Sequence, residues 1–214
     1  MGKTHYASFE TKQNLSFKGG AELTFTLKQQ FQSGKHSLGR FRLAVTDAPR
    51  PVNFGMPSEA KAIFAVAADK RNDTQKKQLI DLYKKNLRYV NNWDLVDSSA
   101  PYLLGNFLRT RSKNILYQYA RSPNLWRRRV GILSTFGFIK QGEYKDALAI
   151  ANILLNDEHD LIHKAVGWML REIGKRDKKE LVAFLDKHYD TMPRTMLRYA
   201  IEKLNQKERA HYMK

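Results

Sequence analysis

The stretch "YVNNWDLVDSSAP", Tyr89 to Pro101, places acidic and aromatic side chains at the start of a predicted helix. Asp97 has two possible roles. It could be a helix N-cap ahead of Pro101, together with Ser98 and Ser99, since a side-chain oxygen at that point accepts a hydrogen bond from the first helical turn. Alternatively, it is a carboxylate that stabilises positive charge developing in a transition state. From the residues alone, the cap is the favoured interpretation.

Spacing places two further side chains near Asp97. Trp93 precedes it by four residues and Asp94 by three, so all three lie on roughly one face of a helix. Asp94 is the rival acid, but we expect a structural role near the helix start, where negative charge suits the helix dipole. Pro101 lacks the N–H that would bond the carbonyl of Asp97, so we expect a kink that exposes this turn.

The charge of the chain indicates a polyanionic partner. Its 214 residues carry 38 Lys and Arg against 21 Asp and Glu, a formal net charge of +17 with a pI near 10.0, which favours nucleic acid. The absence of cysteine excludes disulfides, thiol catalysis and Cys-ligated metal sites. With no signal peptide or membrane-length apolar run visible, we expect a soluble, cytoplasmic protein without membrane contact.

Two patterns divide the chain near residue 75. Residues 1–20 are predicted to be a flexible N-terminus. Residues 21–74 are predicted to contain a β-hairpin and a short helix, because "AELTFTLKQQF" and "LGRFRLAVT" alternate apolar and polar residues around a Gly34 turn. From Gln75 onwards, apolar residues recur at helical spacing in successive segments separated by Gly, Asn and Asp. The predicted helices include "NILYQYA" and "DLIHKAVGWMLREIG", and the last of them is "PRTMLRYAIEKL".

A weak repeat indicates how the helices are arranged. "WRRRVGIL" and "HKAVGWML" place Val130-Gly131 and Val166-Gly167 36 residues apart, and "LRYAIEKL" follows at a similar interval. Such a period is typical of helix pairs stacked into a HEAT-like α-solenoid. The predicted fold class is therefore mainly α, with a HEAT-like array at 75–214 and a short β-rich N-terminal segment.

Four blocks carry a resemblance to a known family. "NNWDLVDSSAP", "LWRRRVGILST", "DLIHKAVGWMLREIGKRD" and "MPRTMLRYAIEKL" together resemble the AlkD-like DNA alkylation repair glycosylases over about residues 75–214. The resemblance implies a truncated HEAT-like array that excises cationic N3- and N7-alkylated purines from duplex DNA without enclosing the base in a pocket. Residues of about 15–80 instead resemble a β-rich segment of planctomycete-type cytochrome-c-associated proteins, but no heme function follows because the chain has no CxxCH.

The resemblance assigns roles to four side chains. Asp97 is implied to be catalytic, because a carboxylate stabilises the oxocarbenium-like transition state and can orient the attacking water. Trp93 and Trp168 are implied to flank the sugar and phosphate of the lesion; the alternative is that both are core aromatics. Arg129 matches a phosphate-contacting arginine of the family. No metal, nucleotide or other cofactor is implied.

A second set of basic residues is predicted to bind the DNA backbone weakly: Arg127, Arg128, Lys175, Arg176, Arg194 and Arg198. Arg171 and Glu172 are predicted to form structural ion pairs between repeats. His159 and His163 are four residues apart, but Asp160 stands where a zincin has Glu, so we predict no metal site.

Truncation of the array leaves two other functions open. One is a non-catalytic, duplex-DNA-binding HEAT-like module. The other is a protein-interaction scaffold that uses the apolar end of the solenoid. We expect a monomer whose partner is double-stranded DNA with alkylated purines. Salt dependence distinguishes the alternatives, because phosphate binding weakens steeply with added salt and apolar protein contact does not.

Overall fold

The computed structural model describes residues 11, 18–19, 22–26 and 58–214. By its internal contacts the chain divides into two units, Met1–Lys61 and Ala62–Lys214. The predicted flexible N-terminus at 1–20 and most of the predicted hairpin lie outside the described residues.

The predicted first strand is described only over residues 22–26, which are neither strand nor helix. Leu23 is 46% exposed and Phe25 is 54% exposed, so these apolar side chains do not line the buried face that their alternation predicts. Period-2 alternation forms a strand only where a second strand completes its backbone hydrogen bonds. The hairpin as a whole stays a prediction, because its other residues are not described.

The second unit is mainly helical, which confirms the predicted fold class. Short 3₁₀ turns lie at Ala68–Lys70 and Leu87–Tyr89, and a π-helix lies at Pro101–Gly105. The α-helices are α1 Ser58–Phe64, α2 Asp73–Asn86, α3 Trp93–Asp97, α4 Asn106–Leu108, α5 Asn114–Ala120, α6 Leu125–Ser134, α7 Phe136–Ile139, α8 Lys145–Ile153, α9 Asp160–Gly174, α10 Lys178–His188, α11 Arg194–Ala200 and α12 Gln206–Tyr212.

Side-chain caps begin several of these helices. Asn72 and Asn205 each form a reciprocal capping box at α2 and α12, and Asp177 accepts from the first amides of α10. Each cap satisfies amides that have no partner within the helix. Helix α12 was not among the predicted helices, although Asn205 and Glu208 supply its capping-box pattern.

The α-helical pattern is interrupted before Pro101, where a kink was expected. Helix α3 ends at Asp97, a turn follows, and the π-helix begins at Pro101. The amide of Gly105 bonds the carbonyl of Ala100 at 2.9 Å, the i to i−5 pattern of a π-helix. Proline cannot donate the bond that would continue α3, so the backbone takes a wider turn there.

Consecutive layers pack through α3, α6 and α9. Helix α6 contacts α3, α5 and α9, while α9 contacts α6, α10 and α11. The repeated glycines lie at these contacts. A Cβ on Gly131 would be 3.0 Å from the carbonyl oxygen of Leu116 in α5, and one on Gly167 would be 2.5 Å from that of Met196 in α11. The Val-Gly repeat thus marks where helix backbones approach closely.

No helix among the described residues is long and apolar enough to cross a membrane.

Candidate active site

The centre of the candidate site is a two-point contact between Asp97 and Arg129. Arg129 Nε donates to Oδ1 of Asp97 at 2.8 Å, and Nη2 donates to Oδ2 at 2.7 Å. Arg129 Nη1 also donates to the carbonyl of Leu161 in α9. Arg129 therefore joins α3, α6 and α9, and parallel bonds of this kind set the orientation of a carboxylate.

Burial within this pair is unequal. The side chain of Arg129 is 5% exposed and that of Asp97 is 18% exposed. The carboxylate is therefore the end of the pair that solvent or a ligand can reach, while the guanidinium lies beneath it. An ion pair arranged in this way presents its negative end outward.

Asp97 is not a helix cap. It is the last residue of α3, and no side chain caps the π-helix that follows. The N-cap of α3 is Asn92, whose side chain accepts from the amide of Asp94 at 3.3 Å. The cap interpretation fails because the polypeptide is already helical at Asp97 and both carboxylate oxygens accept from Arg129.

A hydrogen-bonded pair supports the turn after Asp97. The hydroxyls of Tyr83 and Ser99 lie 3.1 Å apart, and Ser99 donates to the carbonyl of Leu95 at 2.5 Å. Burial raises the pKa of Tyr83 to about 12, although the hydrogen bond with Ser99 acts in the opposite direction. Helix α2 is thereby tied to the turn that carries Asp97.

The two tryptophans differ in their surroundings. Trp93 is 51% exposed, one helical turn before Asp97, so the core interpretation does not hold for it. Trp168 is half-buried against the core, and its ring centroid lies 6.0 Å from that of Phe136. Trp168 follows Leu161 by seven residues, which places both on one face of α9, about 10 Å apart along the axis.

The arginine run "WRRRV" has three separate environments, as successive helix positions require. Arg127 is exposed, and no ion pair involves it in the described part of the chain. Arg128 Nε lies 2.6 Å from Oδ2 of Asp157, and its guanidinium also donates to loop carbonyls. Arg129 is committed to Asp97. Arg127 is thus the most accessible of the three to a phosphate.

Three of the four remaining basic candidates bind other groups of the protein. Lys175 and Arg176 both pair with Glu172, at 2.6 and 2.9 Å. Arg194 donates to the carbonyl of Met213 at 3.0 Å, whereas Arg198 is exposed. In the described part of the chain, none of these four side chains forms an ion pair or hydrogen bond with Asp97.

Arg171 forms an ion pair between repeats, as predicted, but Glu172 does not. Arg171 pairs with Glu202, beyond α11, and so links successive helices. Glu172 instead pairs with Lys175 and Arg176, three and four residues further along the chain. The prediction that Glu172 pairs between repeats is wrong, since same-face neighbours lie within reach of its short side chain.

Among the described residues, no group of three or more His, Asp and Glu side chains could hold a metal ion. His159 and His163 make local contacts instead. Nδ1 of His159 accepts from the amide of Leu161 at 3.2 Å as the N-cap of α9, and Nε2 of His163 lies against the carbonyl of Asp157.

Sequence reasoning missed the supporting contacts of this region. Tyr83 and Ser99 were not singled out, nor was Phe136, which contacts Trp168. Tyr102 and Lys140, whose ammonium lies over the rings of Tyr102 and Phe136, were also missed. These residue types are common, and most of their contact partners lie far away in the sequence, as Ser99 does from Tyr83. The glycines at 105 and 137 were the available signal, because a glycine inside a helical pattern often marks close packing.

A family model described as "DNA alkylation repair enzyme" matches residues 57–204. No curated protein matches the chain. The match begins well before the predicted boundary at about residue 75, so it takes in α1 and the first 3₁₀ turn. The resemblance of residues of about 15–80 to cytochrome-c-associated proteins has no support. With more than half of its length matched, and with the helical layers described above, the chain belongs to the DNA alkylation repair enzyme family.

Proposed function

We propose that the protein is a monofunctional DNA glycosylase that hydrolyses the N-glycosidic bond of cationic N3- or N7-alkylated purines in duplex DNA. The observation that carries the proposal is the Asp97 carboxylate, which Arg129 holds in one orientation and whose side chain is 18% exposed. The net charge of +17 supports a nucleic-acid substrate.

The chemistry requires few groups. The C1′–N bond breaks and its electron pair goes to the base, which cancels the positive charge of the alkylated purine. The deoxyribose becomes oxocarbenium-like, water adds to C1′, and a proton is released. The carboxylate of Asp97 opposes the charge on the sugar as it forms and can accept a hydrogen bond from the water.

Arg129 has a different role here from the phosphate contact implied by the resemblance. Its Nε and both Nη atoms donate within the protein, and its side chain is 5% exposed. We therefore assign it to orienting Asp97. Trp93, exposed one turn before Asp97, and Trp168 are proposed to contact the sugar-phosphate through their ring faces.

A second candidate is a non-catalytic duplex-binding module. The observation in its favour is the same ion pair, because a carboxylate that is bonded at both oxygens to a buried guanidinium also serves to join α3 to α6. In that case, Asp97 is structural and the basic surface alone binds DNA.

Base release decides between the two. Purified protein is incubated with duplexes carrying 7-methylguanine or 3-methyladenine, and free base is measured for the wild type and for Asp97→Asn and Asp94→Asn. We expect release by the wild type and Asp94→Asn but not by Asp97→Asn, with binding retained by all three. Duplex binding without release by the wild type would establish the non-catalytic module. Circular dichroism shows whether each variant is folded.

A further inference from the structure

Lys140 lies between two aromatic rings at the end of α7. Its Nζ is 4.5 Å from the ring centroid of Phe136 and 5.2 Å from that of Tyr102, which is 54% exposed. Both distances are within the range of cation–π attraction. Phe136 also contacts Trp168, with ring centroids 6.0 Å apart. We call Tyr102, Phe136 and Lys140 the Lys140 cluster.

Two glycines bring the parts of this cluster together. A Cβ on Gly137 would be 2.8 Å from the carbonyl carbon of Gly105, and one on Gly105 would be 2.3 Å from the carbonyl oxygen of Ser134. The π-helix and α7 therefore approach at backbone distance. This approach brings Tyr102, from the π-helix, beside Lys140 and Phe136, from the α7 segment.

Comparison with Lys113 shows what is unusual about Lys140. Lys113 also lies over a ring, 4.7 Å from the centroid of Phe138, but its ammonium is within 3.3 Å of Glu143 and of Asp146. Two carboxylates thus neutralise Lys113. Lys140 is exposed and has no ion pair in the part of the chain that is described. Ring faces position an ammonium but leave most of its charge and its N–H donors available to a ligand.

From these observations we propose that the Lys140 cluster binds a backbone phosphate of DNA next to Trp168. A lysine is a compact charge suited to a single phosphate oxygen. The exposed Tyr102 ring offers an apolar surface to the adjoining sugar. This inference rests on the proposed function only in taking DNA as the partner, and it requires no catalysis.

The test is the salt dependence of binding to an undamaged duplex, measured by fluorescence anisotropy for the wild type, Lys140→Gln and Lys207→Gln. Lys207 is an exposed lysine of α12, outside the family match, so its variant loses the same charge elsewhere. We expect Lys140→Gln to reduce the slope of log K against log salt by about 0.9, the value for one phosphate contact. Lys207→Gln should leave the slope unchanged.

Equal slopes for Lys140→Gln and the wild type would overturn the proposal, as would equal reductions in both variants. If the wild type releases base but its salt slope equals that of Lys140→Gln, only the phosphate-binding role of the Lys140 cluster is refuted. The glycosylase proposal then stands. A wild type that does not bind duplex would refute both.

Two variants of Tyr102 test the part played by the rings. Tyr102→Ala removes the ring beside the ammonium, and we expect weaker duplex binding with an unchanged midpoint of thermal unfolding, since this side chain is exposed. Tyr102→Phe keeps the ring and should bind as the wild type does. Wild-type affinity in Tyr102→Ala would show that the ring does not position Lys140.

Discussion

Arg129 donates from Nε and Nη2 to the two carboxylate oxygens of Asp97, across 32 residues of sequence. The pair fixes a negative charge at the end of α3, where Pro101 interrupts the helix. The buried guanidinium also donates to α9, so one side chain sets the relative position of the helices that carry Asp97 and Trp168. Packing and the candidate chemistry therefore depend on the same contact.

Arg129→Ala should lower the free energy of unfolding by about 3–5 kcal/mol, because it leaves a partly buried carboxylate without its partner. Arg129→Lys keeps the charge but loses the parallel bonds, so we expect a smaller loss of stability and a marked loss of base release. Neither variant should change the salt slope of duplex binding. Urea unfolding, base release and anisotropy measure the three properties.

Arg127→Ala is the matched control on the same helix. Its side chain is exposed, so stability should change by less than about 0.5 kcal/mol. The salt slope of duplex binding should not rise. A reduced slope for a folded Arg129→Ala, which removes the charge, with Arg127→Ala unchanged, would show that Arg129 contacts phosphate after all.

Local patterns predicted the helices better than the site. The boundaries of α5 and α9 match the predicted segments, since apolar spacing and the flanking polar residues agree there. Residue spacing also placed Trp93 and Asp97 on one turn, and Pro101 predicted the break that follows. These features depend on near neighbours in sequence.

Contacts between distant segments were not predictable from such patterns. Nothing near Arg129 in sequence indicates that its donors are taken by Asp97 and Leu161, each 32 residues away. The family resemblance singled out Asp97 and Arg129 separately, but their pairing required the packing of α6 against α3. Likewise, the Lys140 cluster depends on the approach of Gly137 to Gly105.

Alanine substitutions at the two tryptophans should differ in their effect on stability but not in the direction of their effect on activity. Trp93→Ala should change the free energy of unfolding by less than about 1 kcal/mol, because half of this side chain is exposed. Trp168→Ala should cost about 3 kcal/mol, because its ring packs against Phe136 and the core. Both should reduce base release. Wild-type release by a folded Trp93→Ala would remove Trp93 from the site.

Gly105→Ala should be strongly destabilising, although alanine is the better helix former by about 1 kcal/mol. The new Cβ would lie 2.3 Å from the backbone oxygen of Ser134, and backbone cannot move aside cheaply. A net loss of about 1–3 kcal/mol is expected from such overpacking, measured by urea unfolding.

Gly174→Ala is the comparison for this change. Its Cβ would also come within 2.3 Å of an atom, but that atom is Cδ2 of Leu181, at the end of a flexible side chain. Gly174→Ala should therefore be tolerated better than Gly105→Ala. If the two substitutions lower the free energy of unfolding equally, the contact between the π-helix and α6 can relax.

Glu172 should make stability depend on pH on the acid side. Burial acts to raise the pKa of Glu172, but the hydrogen bonds and charges of Lys175 and Arg176 outweigh it and hold this pKa below its usual value. The unfolded chain binds the proton with a pKa of about 4.3. Glu172 therefore contributes stability above that pH, and the contribution is lost as pH falls through its lower folded pKa.

Glu172→Gln should accordingly be less stable than the wild type near neutral pH, and the difference should shrink as pH falls from about 5 to about 3. Urea unfolding at a series of pH values measures it. Glu158→Gln is the control, because Glu158 is exposed and has no ion pair among the described residues; its difference from the wild type should stay near zero throughout. The absence of a Glu172→Gln deficit at neutral pH would mean that Glu172 stabilises the end of α9 by packing, which Gln retains, rather than by its charge.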